Sequence, residues 1–458
     1  MAQSGQFDYD LIVIGSGAAG STAALIATKQ KKRVALLEAG TFGGESPNWG
    51  DVPTKAMLHA ANLYEEARLG NRFGIRSSML GYNYPSILQW KDKVISRTGA
   101  ADNRQYYEKN GIATFHGVAH FMSPHEISIS RKHLTARNFL IATGSHFATP
   151  DIYGIDSIAY QTPKTILSLP KVPHSIFIVG SSSEAVEYAQ LFAILGSKVY
   201  IAERSMRLMP EEDAEVGELI EKHLHSTKDI SCLTQTQVAS VEKRGLGVRV
   251  SYARGNAMRS VQVDEILFAN NRVASTDLGL ENALVNYTAA GITVNDNLQT
   301  SSQHIYAAGG AIDASSPTQV AMLQGRVAAH NMFHKATSQP DSSLIPRITF
   351  TNPGIASVGL SENDCIKRDL AINQAVAPLT MIARSNTSDF SNGFVKLITD
   401  KKGILLGGTV VAPHAGEIIH EVALAIHAGM SASDLASMQH AFLSWSEAVR
   451  VAAGKLAQ

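Results

Sequence analysis

A short apolar run followed at once by closely spaced glycines constrains the fold of this chain more than any other feature. Residues 10–14 read Asp-Leu-Ile-Val-Ile, and Gly15, Gly17 and Gly20 follow in a Gly-x-Gly-x-x-Gly pattern. The apolar run predicts a buried strand, and residues 21–37 read as a helix followed by a second strand. With an acid at the end of the second strand, this is the complete dinucleotide-binding fingerprint.

Each residue of the fingerprint has a physical role in holding a dinucleotide. Gly15 permits the tight turn, Gly17 lets a pyrophosphate approach the backbone, and Gly20 lets the helix pack closely on the strand. The N-terminus of the helix carries partial positive charge, which suits phosphate groups. Glu38 ends the second strand and is placed to accept hydrogen bonds from a ribose.

A second, degraded copy of the fingerprint begins at Gly180 and ends at Glu203. Each copy spans 23 residues from its first glycine to its acid (15 to 38, and 180 to 203), so the two units share one architecture. Ser182 and Ala185 replace the second and third glycines, and the Cβ of Ser182 lies where a pyrophosphate should approach. The copy is therefore either a weakened nucleotide site or a remnant that only folds.

Composition excludes several classes of protein. At about 150 residues per domain, 458 residues suggest about three domains. Lys+Arg and Asp+Glu are both 40, which argues against a nucleic-acid partner, and 45% hydrophobic residues indicate a globular chain. No apolar run approaches a membrane span, no targeting segment is visible and the histidines form no metal-ligand spacing, so we expect a cytoplasmic protein without a metal. Two cysteines, Cys232 and Cys365, exclude a disulfide framework.

Further short motifs, spread along the chain, carry a resemblance to a known family. They are residues 15–20, Gly43-Gly44, Val52-Pro-Thr-Lys55, Ala142-Thr-Gly-Ser145, Glu187, Ala269-Asn-Asn-Arg272, Ile305-Tyr-Ala-Ala-Gly309, Ser357-Val-Gly-Leu360 and Asp434-Leu435. In their order and spacing the chain resembles the pyridine nucleotide–disulfide oxidoreductases over nearly its whole length. The resemblance implies a homodimer whose subunits each hold one FAD and one NAD(P)H, with electrons passing from the flavin to a cysteine pair and then to the substrate.

The resemblance also implies a fold class and a set of cofactor residues. The fold is α/β, with two Rossmann-like dinucleotide-binding domains and a C-terminal α+β dimerisation domain. Residues 1–150 and 271–345 would bind FAD, residues 151–270 would bind NAD(P), and residues 346–458 would form the dimer. Candidate cofactor-binding residues are Gly15, Gly17, Ala18, Ala19, Gly20, Glu38, Ala39, Gly44, Lys55, Ala119, Thr143, Gly144, Gly180, Ser182, Ala185, Glu203, Arg204, Asn271, Gly309 and Gly310.

The chain departs from the family where the redox-active cysteines should be. The family has Cys-x-x-x-x-Cys after the two glycines, and here Ser46 and Asp51 occupy those two positions. A hydroxyl and a carboxylate cannot hold the electron pair of a disulfide. Cys232 and Cys365 lie far away in sequence, so disulfide reduction is not expected. Natural loss is the favoured explanation, and engineered replacement is the alternative.

Two further positions depart from the family pattern. Near the C-terminus Glu447 is retained, but Phe442 stands where the family places an acid–base histidine. His440 could substitute only if the backbone shifts, and an exposed or packed histidine is the competing interpretation. Gly310 stands where the family has an aspartate that bonds the flavin ribitol, and Asp313 is a partial substitute.

Lys55 and Glu187 survive, and in the family such a pair lies beside the reactive ring of the flavin. The lysine would stabilise the reduced flavin and the glutamate would hold the lysine, unless both are ordinary helix residues. Asp51 either supplies the negative charge of the missing thiolate or is only a charge at a helix N-terminus. Glu203 favours NADH, whereas Ala185 and the arginines at 204 and 207 favour NADPH; we favour NADH by a small margin.

The sequence thus predicts an FAD-dependent NAD(P)H oxidoreductase that lacks a redox disulfide. Its catalytic candidates are Lys55, Glu187, Asp51, Ser46 and Glu447. Reduced flavin would pass electrons directly to a small acceptor such as a quinone, a dye or dioxygen. The alternative is a non-catalytic FAD-binding homodimer with a binding or regulatory role.

Overall fold

The computed structural model describes residues 7–76, 80–99, 101–227, 229–334 and 337–457. In this part of the chain the strands, numbered β1 to β23 in chain order, are Tyr9–Ile14, Val34–Glu38, Ala113–His116, Ala119–Ser123, Glu126–Ile129, Lys132–Ile141, Ser145–Phe147, Ser175–Val179, Lys198–Ala202, Ile230–Leu233, Thr236–Arg244, Gly247–Arg254, Ala257–Val263, Glu265–Phe268, Arg272–Ala274, Tyr287–Thr288, Gly291–Ile292, Ile305–Ala307, Arg347–Thr349, Gly354–Gly359, Ile372–Pro378, Phe394–Asp400 and Leu405–Ala412. The helices, numbered α1 to α13, are Ala18–Lys29, Glu45–Asn48, Asp51–Leu69, Tyr84–Arg97, Arg104–Lys109, Ser183–Ile194, Ala214–Ser226, Thr318–Phe333, Glu362–Lys367, Ala383–Thr387, Ala415–His427, Ala432–Ser437 and Glu447–Leu456.

Internal contacts group the chain into two compact units. The first unit contains residues 1–56, 86–149 and 271–342, and the second contains residues 57–85, 150–270 and 343–458. The second unit therefore contains both the predicted NAD(P)-binding segment and the predicted dimerisation segment. The division into three domains with the predicted bounds stays a prediction.

The first unit is built on a sheet whose central strands are buried on both faces. Strands β3, β2, β1 and β6 are parallel and adjacent in that order, β18 also pairs with β6, and β5 and β4 extend the sheet in antiparallel fashion. Leu11 and Val13 pack with side chains of α1 and α8, whereas Ile12 and Ile14 pack with residues of β4 and β5. Because both faces are covered, β1 is apolar throughout its buried part, which is the pattern that predicted it.

Among its described residues, the second unit contains three sheets. Strands β10, β9, β8 and β14 form a parallel sheet, β11 to β13 form an antiparallel sheet, and β19, β20, β23, β22 and β21 form a five-stranded antiparallel sheet packed by α11 and α13. Strand β13 ends at Val263, and β14 covers Glu265–Phe268. Together the units have the predicted α/β class. Among the described residues, no helix is long and apolar enough to cross a membrane.

Helix α1 begins three residues before its predicted start at residue 21, and α6 begins at Ser183. Each follows directly on its glycine loop, with Gly17 and Ser182 as the N-cap residues. The loop and the first helical turn are thus continuous, which brings the helix N-terminus to the loop itself.

A buried lysine ties three segments of the second unit together. The side chain of Lys396, on β22, is 0% exposed, and its Nζ lies 3.1 Å from Asp213 Oδ2, 3.0 Å from Glu215 Oε1 and 2.8 Å from Glu362 Oε2. Burial lowers the pKa of Lys396, but the hydrogen bonds of Glu362 and Glu215 and the charge of Asp213 outweigh it, so its pKa is raised above the ordinary value. The lysine is therefore charged where the carboxylates meet.

Replacing Lys396 with methionine should lower the free energy of unfolding by about 3–5 kcal/mol, because losing one partner of a buried ion pair leaves the other charges uncompensated. Denaturant unfolding of the protein, followed by circular dichroism, measures the loss of unfolding free energy. Lys402→Met, which removes an exposed lysine near the same sheet, is the matched control and should change stability by about 0.5 kcal/mol or less. Equal losses in the two variants would contradict this role for Lys396.

Candidate active site

The three glycines of the first loop have the geometry that a dinucleotide site needs. Gly15 has φ +100°, and a Cβ placed on it would lie 2.2 Å from the Ala142 carbonyl oxygen. A Cβ on Gly20 would lie 1.9 Å from the Gly15 oxygen, so α1 packs against the turn with no room for a side chain. A Cβ on Gly17 would meet no atom within 4 Å. The space over Gly17 is open, as the approach of a pyrophosphate requires.

The hydroxyl of Ser16 connects this loop to its acid. The Ser16 N–H and Oγ donate to Glu38 Oε2 at 2.9 and 2.6 Å, and the Gly40 N–H donates to the other carboxylate oxygen at 2.8 Å. The Gly43 N–H donates to Ser16 Oγ at 2.9 Å. Glu38 is thus held at the end of β2. The segment that begins at Gly43 is hydrogen bonded to the same Ser16 hydroxyl.

A cavity of about 410 Å³ opens beside the loop. Four predicted cofactor residues line it: Gly15, Ala39, Ala119 and Thr143. It is also lined by residues that the sequence did not single out, among them Gly117, Val118, His146 and residues 274–278. A concave, largely apolar pocket that adjoins an open glycine loop fits the adenosine end of FAD.

The structure differs from the family pattern at the other predicted flavin contact. A Cβ on Gly310 would lie 2.9 Å from the carbonyl carbon of Gly144 and from the N atom of Ser145, so an aspartate would not fit there without a backbone shift. Asp313, the proposed substitute, accepts hydrogen bonds from the backbone and hydroxyl of Ser315 through Oδ1. The glycine loop therefore fits FAD, while Gly310 lacks the ribitol contact.

Ser46 and Asp51, which the sequence analysis assigns to the two cysteine positions, are hydrogen bonded to each other. Ser46 Oγ donates to Asp51 Oδ2 at 2.9 Å, and Thr318 Oγ1 donates to the same oxygen at 2.9 Å. Asp51 is the first residue of α3, and Lys55 Nζ lies 3.5 Å from Asp51 Oδ1 one turn along that helix. The structure brings together three predicted catalytic residues, and Thr318, which is 267 positions from Asp51, joins them.

An ion pair fixes the residue that precedes Ser46. The guanidinium of Arg272 makes a bidentate contact with Glu45, with Nη1–Oε2 2.9 Å and Nη2–Oε1 2.5 Å. The same guanidinium stacks 4.4 Å from the ring centre of Phe147. Because α2 is only four residues long, this clamp, more than the helix itself, holds the Ser46 segment in place.

The second glycine loop, in the other unit, has the same hydrogen-bond pattern as the first. Ser181 Oγ donates to Glu203 Oε2 at 2.6 Å, the Ser205 N–H donates to Glu203 Oε1 at 2.8 Å, and the Met209 N–H donates to Ser181 Oγ at 3.0 Å. The difference lies at Ser182, whose Oγ accepts from the Ala185 N–H at 3.4 Å. Its side chain therefore caps α6 where a pyrophosphate would otherwise bind.

Three further residues that the sequence analysis connects with nucleotide binding contact backbone carbonyls or are exposed. Arg207 donates to the carbonyl oxygens of Pro210 and Glu212, at 3.2 and 2.8 Å. Arg204 is exposed next to Glu203. Asn271 donates to the backbone of Ala148 and Thr149.

Glu187 is buried on α6 of the second unit, with 1% of its surface exposed. Its Oε1 accepts from the Phe350 N–H at 2.8 Å, and one turn earlier Ser183 Oγ accepts from Thr349 Oγ1 at 2.7 Å. The interpretation of Glu187 as a solvated helix residue was wrong. Lys55 belongs to the first unit, and the pairing of Lys55 with Glu187 stays a prediction.

Near the C-terminus the structure resolves the position of His440. Its Nε2 contacts Glu421 Oε1 at 2.5 Å and its Nδ1 contacts the Met438 carbonyl at 3.2 Å, so both ring nitrogens are engaged. His440 is therefore a packed histidine, and its use as a substitute acid–base stays a prediction. Glu447 begins α13 and contacts Arg450 at 3.2 Å, while Phe442 is 76% exposed.

Both cysteines are buried, free and poorly suited to redox chemistry. Burial, with a smaller effect of Glu221, raises the pKa of Cys232 to about 12. Burial and the charges of Asp364 and Asp213 raise the pKa of Cys365. Because the thiolate is the nucleophile, neither thiol is activated. Among the described residues, no group of three or more His, Cys, Asp or Glu side chains could hold a metal ion.

Comparison with known proteins identifies the family. A family model described as pyridine nucleotide-disulphide oxidoreductase matches residues 9–325, and the dimerisation domain of that family matches residues 345–453. The chain belongs to the pyridine nucleotide-disulphide oxidoreductase family. Members of this family use FAD and NAD(P)H, which agrees with the open loop at Gly17.

Relatives cover nearly the whole chain. Mercuric reductase of Streptomyces lividans is 33% identical over 97% of this chain and 95% of the relative. Dihydrolipoyl dehydrogenase of Thermus scotoductus is 31% identical over 91% of each protein. LpdA from Mycobacterium tuberculosis, at 26% identity, superposes with a TM-score of 0.86 over 97% of this chain and 99% of LpdA. The HOCl-induced flavoprotein disulfide reductase RclA from Escherichia coli, at 24% identity and a TM-score of 0.85, shares the fold.

Gly17→Ala should weaken FAD binding about tenfold or more without unfolding the protein. The added methyl group meets no protein atom within 4 Å, so a lower affinity must come from a clash with the ligand. Flavin absorbance per protein and the dissociation constant from reconstitution of the apoprotein measure the effect. Gly454→Ala, whose methyl group is also free of contacts, is the control and should bind FAD normally. Equal affinity in both variants would remove Gly17 from the flavin site.

Proposed function

We propose that this protein is an FAD-dependent NAD(P)H oxidoreductase that passes electrons from flavin to a small acceptor without a redox disulfide. When bound, FAD would accept a hydride from NAD(P)H and release the electrons to a quinone, a dye or dioxygen. The family supports an oxidoreductase with these cofactors, and the dimerisation domain supports a homodimer. The direct transfer to the acceptor and the cytoplasmic location are part of the proposal.

The hydrogen bond between Ser46 and Asp51 carries this proposal. It occupies the two positions that hold cysteines in the family, and its donor and acceptor are 2.9 Å apart. The Gly43 N–H bond to Ser16 ties the same segment to the FAD loop. A hydroxyl and a carboxylate in this place bind and orient, but they cannot store an electron pair.

Lys55 and Glu187 would serve the half of the reaction that needs no cysteine. A lysine ammonium beside a flavin stabilises negative charge on its reduced ring. Glu187, buried and held by the Phe350 N–H, would keep that lysine charged and oriented. Asp51 would provide the negative charge that a thiolate otherwise brings.

An anaerobic titration tests the proposal. Purified holoprotein should lose its 450-nm flavin absorbance on addition of one equivalent of NADH or NADPH, and a Cys232→Ser/Cys365→Ser variant should behave in the same way. Re-oxidation by an added quinone or dye should follow in both proteins. Flavin that neither nucleotide bleaches, or turnover that is lost with the two cysteines, would overturn it.

The alternative is a non-catalytic FAD-binding homodimer. The capping of α6 by Ser182 and the lack of room for an aspartate at Gly310, where a Cβ would lie 2.9 Å from the carbonyl carbon of Gly144, favour it, since each removes a cofactor contact. If this alternative holds, the protein should be a stable dimer that retains flavin, and neither NADH nor NADPH should reduce that flavin in the same titration.

NADH is the proposed coenzyme because Glu203 is held in place by Ser181 and Ser205. A carboxylate there bonds a ribose hydroxyl and repels a 2′-phosphate, and Arg207 is engaged by backbone carbonyls.

Glu203→Ala should lower kcat/KM for NADH by about tenfold and narrow or reverse the preference over NADPH, since one charge-assisted hydrogen bond contributes about 1.5–3 kcal/mol. Initial rates of flavin reduction with each nucleotide measure this. Glu211→Ala, an exposed carboxylate on the loop before α7, is the control. A higher wild-type kcat/KM with NADPH would contradict the NADH assignment.

A further inference from the structure

The groups that replace the cysteine pair offer only hydrogen-bond acceptors toward an incoming molecule. An ionised carboxylate accepts and cannot donate, so both hydroxyl protons in this cluster point at Asp51. Ser46 Oγ and Thr318 Oγ1 each lie 2.9 Å from Asp51 Oδ2. The lone pairs of both hydroxyl oxygens and the carboxylate of Asp51 are therefore available as hydrogen-bond acceptors for a ligand.

Negative charge is also the more accessible charge at this place. The side chain of Asp51 is 51% exposed and that of Lys55 is 26% exposed, and their closest approach is 3.5 Å. An exposed pair of this kind, one turn apart on a helix, attracts weakly. The carboxylate therefore stays available to a ligand even with the lysine beside it.

The cluster lies on the FAD loop and is not an isolated helix end. A Cβ on Gly44 would lie 2.6 Å from the Cα of Gly17, so the backbone before Ser46 touches the backbone of the glycine loop. The Gly43 N–H bond to Ser16 fixes the same approach. A molecule that reaches Asp51 is thus beside the cofactor loop of the same unit.

We infer that the acceptor in the proposed reaction is a small organic cation, recognised by Asp51 with the hydroxyls of Ser46 and Thr318. This inference rests on the proposed function and narrows its acceptor class. A quinone or dioxygen brings lone pairs toward the oxygens of Ser46, Asp51 and Thr318 and would find a donor in the less exposed Lys55, whereas a cation gains attraction to the more exposed carboxylate. N–H donors on the cation would also bond the two hydroxyl oxygens.

The reaction balances without another reactant. NAD(P)H loses a hydride equivalent and becomes NAD(P)⁺, and an aromatic cation such as N-methylphenazinium gains that hydride equivalent and becomes the neutral dihydro compound. Asp51 keeps its charge throughout. Because reduction removes the positive charge of the acceptor, its attraction to Asp51 ends and the product leaves more easily.

The kinetic test compares two dyes of opposite charge, N-methylphenazinium and the anion of 2,6-dichlorophenolindophenol. Asp51→Asn should lower the ratio of kcat/KM for the cation to kcat/KM for the anion by roughly fivefold or more, whatever its effect on the overall rate. Comparing each dye with itself across variants removes differences in reduction potential. Asp296→Asn, which removes an exposed carboxylate of the same unit, is the control for net charge and should change neither value.

A binding test needs no turnover. Calorimetric titration of the oxidised holoprotein, without nucleotide, should show benzamidinium binding about fivefold more tightly to wild type and Asp296→Asn than to Asp51→Asn. Benzenesulfonate should show no such loss. Ser46→Ala/Thr318→Val should weaken benzamidinium, which donates N–H bonds, more than N-methylpyridinium, which has none.

The possible outcomes distinguish failure of cation recognition from failure of the proposed oxidoreductase function. Cation binding and cation turnover that are the same in Asp51→Asn as in wild type would overturn the inference while flavin reduction by NADH still stands. Flavin that no nucleotide reduces would overturn the proposed function, and the calorimetric comparison would still decide whether Asp51 binds cations.

Discussion

The hydroxyl of Ser16 is the contact on which the site of the first unit depends. It donates to Glu38 at the end of β2 and accepts from the Gly43 N–H, so one oxygen joins the glycine loop, the acid and the segment that leads to Ser46 and Asp51. Such a junction works only where the backbones approach closely, and Gly17 and Gly44 leave that space. The position of Ser46 and Asp51 thus follows from the same packing that opens the loop.

The second unit uses the same junction for a different purpose. Ser181 joins Glu203 to the Met209 N–H. Met209 lies in the loop before α7 and not in a predicted reactive segment. Ser182 then caps α6, whereas the N-cap Gly17 leaves α1 without a side-chain cap. Duplicated strand–loop–helix units have therefore diverged at the helix N-terminus, the point where phosphate binding depends on free N–H groups.

Local pattern was sufficient to predict the fold class, since buried apolar strands and equal fingerprint spacing are properties of contiguous sequence. It also placed Ser46 and Asp51 at the family's cysteine positions. It could not predict Thr318 or the Arg272 clamp on Glu45, because these contacts join residues 267 and 227 positions apart. The packing of His440 likewise depends on Glu421, which lies 19 positions earlier on α11, and no spacing near the C-terminus indicates it.

A disulfide joins its two segments covalently, whereas the Ser46–Asp51 bond contributes only about 0.5–3 kcal/mol. Holding the same geometry with a weaker link requires additional contacts, and the structure has them on both sides. Thr318 holds Asp51 from α8, and Arg272 holds Glu45 through a bidentate pair stacked on Phe147. The rigidity of one covalent bond is thus distributed over several polar contacts. Carboxylate and hydroxyl oxygens are stronger hydrogen-bond acceptors than sulfur, so such a replacement would change what the site can recognise as well as what it can reduce.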